Sequence, residues 1–290
     1  MSLEDNKRQI FSGIEHLGFD NVKEVNLYKE KEEIKKEIKI DETAKDLSLL
    51  YDKELICPVC GHRFKAKCVK INSYRVEGKE SDFHILYSRI NPYFYDVWIC
   101  DSCGYAAIKK DFLAIREYQL NKVKENVTKK WRGRTYPKIY DLDIAIERYK
   151  LSLFNYMVIE SKSSSKAMNC LKLSWMYRLK NDVENENLFL KQALDGLNNA
   201  YYNEDFPIYG MDRFTTMYLI GELYRRLENY DDATLWFSNV VTGKGSSPKL
   251  KEMTRAQRDL IKKEVEQPQE EEAVNNESKK GGIFKFFLRK

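Results

Sequence analysis

An α+β architecture that is mostly α is predicted by three observations. Two Cys-x-x-Cys-Gly motifs, Cys57-Pro58-Val59-Cys60-Gly61 and Cys100-Asp101-Ser102-Cys103-Gly104, bracket a stretch with strand character. From Asp111 onward the apolar residues recur at helical spacing instead. Within that helical part, small and aromatic residues return at matched positions, which predicts an array of helical hairpins. The 290 residues have room for about two such domains.

Taken in order, residues 1–54 read as a polar segment, partly helical or disordered. Ile10, Ile14, Leu17 and Phe19 suit a short helix, and the alternating Lys and Glu of Lys29 to Lys39 make a solvated face. Residues 55–110 form a small β-rich module, in which Val69, Ile71, Tyr74 and Val76 lie in one β-prone run and Val97-Trp98-Ile99 leads into the second cysteine pair. Residues 111–264 are helical. Phe112, Ile115, Tyr118 and Val123 share a helix face, as do Ile144, Ile146, Tyr149, Leu153 and Tyr156. Asp141 or Asp143 would cap one helix, Ser163 to Ser165 make a break and a new cap, and Asp182 starts another helix. Residues 265–290 turn to Gln, Glu, Asn, Pro and Lys, the composition of a disordered linker, before an apolar and basic tip at Gly281–Lys290. That tip is too short to span a bilayer; it suits peripheral contact with an anionic membrane, a partner's groove, or a floppy terminus.

Two residues between paired cysteines let both thiolates reach one ion, and a following glycine permits the positive φ that turns the chain around it. Cys57, Cys60, Cys100 and Cys103 are therefore expected to form one four-thiolate site. Such a site is closed to water, so a structural Zn²⁺, one per chain, is the expected cofactor. A rubredoxin-like iron centre would use the same ligands, and a thiol redox pair is a further alternative. Lys65 and Lys67 would moderate the excess negative charge. His62 and His84 read as surface or packing histidines, and Cys68 and Cys170 as spare thiols. Between Cys60 and Cys100 lie 39 residues, beyond the about 15 to 20 of a compact zinc ribbon, so the insert must fold on its own strands. Asp82, Tyr87, Arg89, Asn91, Tyr93 and Tyr95 gather in it, as cover for a small core or as a binding face.

Met217-x-x-Ile220-Gly221-x-x-Tyr224, with Ala233 and Phe237 behind it, matches tetratricopeptide spacing, and Cys170-x-x-Leu173-Ser174-x-x-Tyr177 with Leu190 and Ala193 is a weaker copy. Ser174 and Gly221 are 47 residues apart rather than about 34, the excess falling near Tyr201 to Gly210. The inward positions of such an array would be Leu171, Trp175 and Arg178, then Tyr218, Glu222, Arg225 and Arg226. Arg178 and Arg225 occupy equivalent places, and paired guanidinium groups suit an acidic segment or chain terminus.

With Cys57-Pro58-x-Cys60-Gly61, Asp82-Phe83, Tyr87, Asn91-Pro92-x-x-Tyr95-Asp96 and Cys100-x-x-Cys103-Gly104-Tyr105-Ala106, the N-terminal half resembles the uncharacterised bacterial family called domain of unknown function 2225. Tyr218-Leu219-Ile220-Gly221-Glu222-Leu223 and Arg226 continue the likeness, which covers roughly Leu55 to Lys263. It implies a cytosolic protein with a zinc-ribbon-like module and a tetratricopeptide-like helical domain, and no established activity.

The expected function is that of a noncatalytic scaffold, with zinc fixing the module and the helical groove binding a protein or peptide. No Ser/His/Asp order, phosphate loop or His-Glu-x-x-His motif points to an enzyme, and three histidines leave few acid-base candidates. The alternative is a nucleic-acid-binding zinc ribbon using residues 122–138, where Lys129, Lys130, Arg132, Arg134 and Lys138 interleave with Trp131 and Tyr136. A net charge of only +5, from 50 basic and 45 acidic residues, permits that contact without demanding it. A polar start and the lack of a long apolar window make the cytoplasm the expected address.

Overall fold

A computed structural model describes residues 45–71 and 73–265. The expected N-terminal helix, the Lys29–Lys39 charge run, and the linker and apolar tip beyond residue 265 lie outside the described residues. Among the described residues no helix is long and apolar enough to cross a membrane. The described residues from Leu49 to Val265 cluster as one compact unit.

After a helical stretch at residues 45–48, strands come first and the longer helices follow. β1 (Leu50–Ile56) pairs antiparallel with β2 (Arg63–Val69), β3 (Val76–Lys79) with β4 (Ile85–Tyr87), and β5 (Val97–Ile99) with β6 (Ala106–Ile108). Each pair is a separate two-stranded hairpin. Strand structure therefore begins at Leu50, earlier than residue 55, because Leu50 to Ile56 finds a full partner in β2, from Leu50 opposite Val69 to Ile56 opposite Arg63. The single β-run expected over Val69 to Val76 is broken in two. A turn in which the Ser73 N–H donates to the Lys70 carbonyl separates β2 from β3 and leaves Ile71 and Tyr74 exposed.

Seven helices follow among the described residues: α1 (Glu117–Asn126), α2 (Leu142–Val158), α3 (Ser163–Leu179), α4 (Val183–Asn203), α5 (Arg213–Arg226), α6 (Tyr230–Thr242) and α7 (248–265). Phe112 does not share a helix with Val123 as the spacing suggests. The Gln119 side chain accepts from the Arg116 N–H, starting α1 only there, and Phe112 is buried from the preceding turn. Asp141 rather than Asp143 caps α2, accepting from the Ile144 N–H at 2.8 Å. Asp182, Asp212 and Asn229 cap α4, α5 and α6 in the same way. No serine caps α3. Instead Glu204, just past the end of α4, accepts from the Ser164 N–H and hydroxyl, tying the two ends of the α3–α4 hairpin together.

The strands expected over 55–110 and the helices expected over 111–264 share one hydrophobic core. It runs from Val59, Cys100 and Tyr105 through Phe112, Val123 and Tyr149 to Leu171, Leu194 and Leu219. Polar ties reinforce the seam. The Tyr156 hydroxyl accepts from the Ile108 N–H and donates to Asp111, and the buried Arg148 donates to the Val97 carbonyl at 2.5 Å with its guanidinium against Tyr136 and Tyr140. In the α5–α6 hairpin, a Cβ on Gly221 would lie 2.8 Å from the Phe237 ring, so only glycine lets these helices approach so closely.

Candidate metal centre and the helical groove

The two cysteine motifs occupy equivalent positions: Cys57–Gly61 is the turn of the β1–β2 hairpin and Cys100–Gly104 that of the β5–β6 hairpin. Both turns are closed alike. The Gly61 and Gly104 N–H groups donate to the Cys57 and Cys100 carbonyls, each at 2.9 Å, and both glycines take the positive φ expected of them, 74° and 75°. Trp131 covers the second turn, its indole N–H donating to the Asp101 carbonyl at 2.7 Å.

These turns bring all four sulfurs within 4.8 Å of one another. Cys57 Sγ lies 3.6 Å from Cys103 Sγ and Cys60 Sγ 3.6 Å from Cys100 Sγ. Metal–sulfur bonds of about 2.3 Å in a tetrahedron require sulfurs about 3.8 Å apart, so the four cysteines are placed to hold a metal ion. Hydrogen bonds from the neighbouring Cys100 and Cys103 thiols pull Cys57 well below the usual thiol range, and the Cys60 and Val59 amides act in the same direction. The same contacts push Cys103 up, so the cluster gives up a first proton readily and holds another tightly. Cys57, Cys100 and Cys103 are buried and Cys60 is exposed. His62 stays outside the ligand set, with Nε2 3.2 Å from Asp101 across the two turns. The ammonium of Lys67 is taken by Asp52, at 2.6 Å, rather than facing the thiolates.

The inward helical residues also come together, around a segment of this same chain. The loop joining β3 to β4, Glu80 to His84, lies against α3 and α5. Asp82, fully buried, accepts from the Trp175 indole at 3.1 Å and the Arg178 guanidinium at 2.8 Å, with Arg226 at 3.6 Å. Glu80 accepts from Arg178 at 2.5 Å and contacts His84 Nδ1 at 2.7 Å. Ser81 donates to the buried Glu222, which Arg225 grips with two bonds of 2.9 Å and Arg226 with one. Phe83, at φ 72°, sets its ring 5.4 Å from that of Tyr218, and the buried His84 stacks on Trp175 at 5.0 Å. Burial alone would raise the Glu80 carboxyl; the hydrogen bond from His84 and the charge of Arg178 prevail and hold it at about 2.

The groove expected to be open to an external acidic segment is thus filled by an acidic loop from the insert. Arg178 spends its remaining bond on Glu186, and Arg225 reaches Glu264 on α7. Arg178 on α3 and Arg226 on α5 meet Glu80 and Ser81, which the spacing of the helical residues does not indicate. The available signal was two acidic residues flanking a serine in a short turn between β-prone segments. Of the basic-aromatic stretch, Lys129, Lys130, Arg132, Arg134 and Lys138 are exposed, but Trp131 is held at the second cysteine turn and Tyr136 donates to Glu147, the partner of Arg134.

The family model of DUF2225, described as an uncharacterized protein conserved in bacteria, matches residues 50–261. The comparisons with curated proteins and with solved structures give no match.

Proposed function

The chain belongs to the DUF2225 family, and on that footing we propose that it is a noncatalytic, zinc-stapled binding protein whose tetratricopeptide-like groove takes an acidic segment of a protein or peptide. The observation that carries this reading is the loop already seated there: Glu80 and Asp82 meet Arg178 and Arg226 through charged bonds of the kind an acidic partner would make. An incoming segment would have to displace this loop, whose charged bonds are joined by the packing of Phe83 on Tyr218 and of His84 on Trp175. Zinc, bound by Cys57, Cys60, Cys100 and Cys103, would contribute folding free energy and leave no coordination position for a substrate.

Fresh protein is expected to carry about one zinc per chain, measured by elemental analysis. Removing the loop's charges through Glu80→Gln with Asp82→Asn is expected to increase retention of an acidic test peptide, with circular dichroism checking the fold. Retention equal to that of the wild type would refute the groove assignment.

A second reading, nucleic-acid binding, draws support from a depression lined by Lys65, Lys67, Arg134 and Lys138, which connects the basic stretch to β2. Against it, Trp131 and Tyr136 are engaged within the protein and are poorly placed to stack on bases. A gel shift with single-stranded DNA that weakens steeply with salt would favour this second reading over the first.

A further inference from the structure

A cavity of about 540 Å³ opens between the β1–β2 hairpin, the segment after β2 and the short helix Pro92–Tyr95. It shares no residue with the four cysteines or with the arginine cluster. Its size lies within the range of small-molecule sites, about 300 to 1,000 Å³.

The lining has two chemical characters. One is aromatic: Tyr51 and Tyr74 are about half exposed, at 45% and 38%, while Tyr87 meets Tyr74 edge-on at 5.4 Å and Tyr93 at 5.7 Å. Burial raises the Tyr87 and Tyr93 hydroxyls above the usual phenol range, so both stay neutral donors. Ile71, 84% exposed, extends the apolar rim. The other character is cationic. Asp96, 5% exposed, is bonded by Lys172 and lies 3.3 Å from Lys109, so one carboxylate faces two ammonium groups. Lys53 adds a third from β1, over the Trp98 ring at 5.1 Å. Lys53, Lys109 and Cys68 all line the same cavity.

Flat π-faces beside three ammonium groups and a single carboxylate, Asp96, favour a ligand that is both planar and negative. We propose that this cavity binds a small aromatic anion, its carboxylate or phosphate met by Lys53 and Lys109 and its ring by Tyr51, Tyr74 and Tyr87. The site gives the protein a small-molecule ligand independent of any peptide in the groove.

The test is calorimetric titration of the zinc-loaded full chain with 1-naphthyl phosphate and 1-naphthoate, against inorganic phosphate and neutral 1-naphthol. Saturable binding of either aromatic anion, at least about tenfold tighter than phosphate or naphthol, is expected. Lys53→Ala and Tyr74→Ala, both at exposed positions, should each weaken it about tenfold with unchanged circular dichroism and zinc content. The proposal is overturned if neither aromatic anion saturates, if naphthol binds as tightly as the anions, or if the Lys53→Ala, Tyr74→Ala double variant binds like the wild type. Acidic peptide retention, measured in parallel, reports on the groove and is expected to be unaffected by these substitutions.

Discussion

Gly61 and Gly104 occupy matching places in the two cysteine turns, yet they stand in different surroundings. Both have positive φ, so an alanine at either costs about 1 to 2 kcal/mol of backbone strain. A Cβ at Gly61 would meet nothing within 4 Å, whereas one at Gly104 would lie 2.7 Å from the Trp131 ring. Trp131 cannot yield without giving up its bond to the Asp101 carbonyl. Gly104→Ala is therefore expected to destabilise the protein clearly more than Gly61→Ala, as measured by denaturant midpoints, and to loosen metal retention. Equal midpoints would mean that Trp131 moves aside freely.

At the level of elements, the β3–β4 hairpin is attached to α3 and α5 both through charged bonds and through the rings of Phe83 and His84. Replacing Asp82 by Ala strips Arg178 and Trp175 of a buried acceptor. A loss of about 3 kcal/mol is expected, toward the low end for breaking a buried pair because Arg178 keeps Glu80 and Glu186. Glu80 adds a pH dependence. Its carboxyl titrates at about 2 in the folded protein against 4.5 when unperturbed, so its stabilising contribution is complete above about pH 4.5 and is lost as the pH falls toward 2. Amide exchange in residues 76–87 should quicken across that window in the wild type, and Glu80→Gln should show fast exchange already at neutral pH.

For the molecule as a whole, the shared core decides how metal removal propagates. A metal-stapled module standing apart from the helices would unfold alone. Here Cys57, Cys100 and Cys103 belong to the same buried cluster as Phe112, Tyr149 and Leu194, so loss of a bound ion would disturb a surface on which the helices rest. Chelation, or Cys57→Ser, is expected to lower the thermal midpoint of the strands and helices together. Tryptophan fluorescence and far-ultraviolet circular dichroism should trace coincident transitions. A helical signal that persists unchanged after the metal has left would contradict this coupling.

Much of this protein is legible from local pattern. Cysteine spacing and the glycine after each pair identify the four thiolates and their turns, because a two-residue gap and a positive-φ hinge are local demands. Asp182 as a helix start and the close approach at Gly221 are likewise local, or repeat at a fixed distance. The turn that divides Val69 from Val76 and the late start of α1 escaped, since strand and helix periods blur over so few residues. What sits against Arg178 and Arg226 could not be read from the chain. Glu80 and Asp82 lie 98 and 96 residues from Arg178 in sequence and still farther from Arg226, and complementary charge does not name its partner among 45 acidic residues. The sequence by itself determined which four cysteines come together and where the helical hairpins lie. Only the tertiary structure decided that the strands and helices share one core and that the groove holds the chain's own acidic loop, because burial and long-range pairing depend on where the hairpin comes to rest.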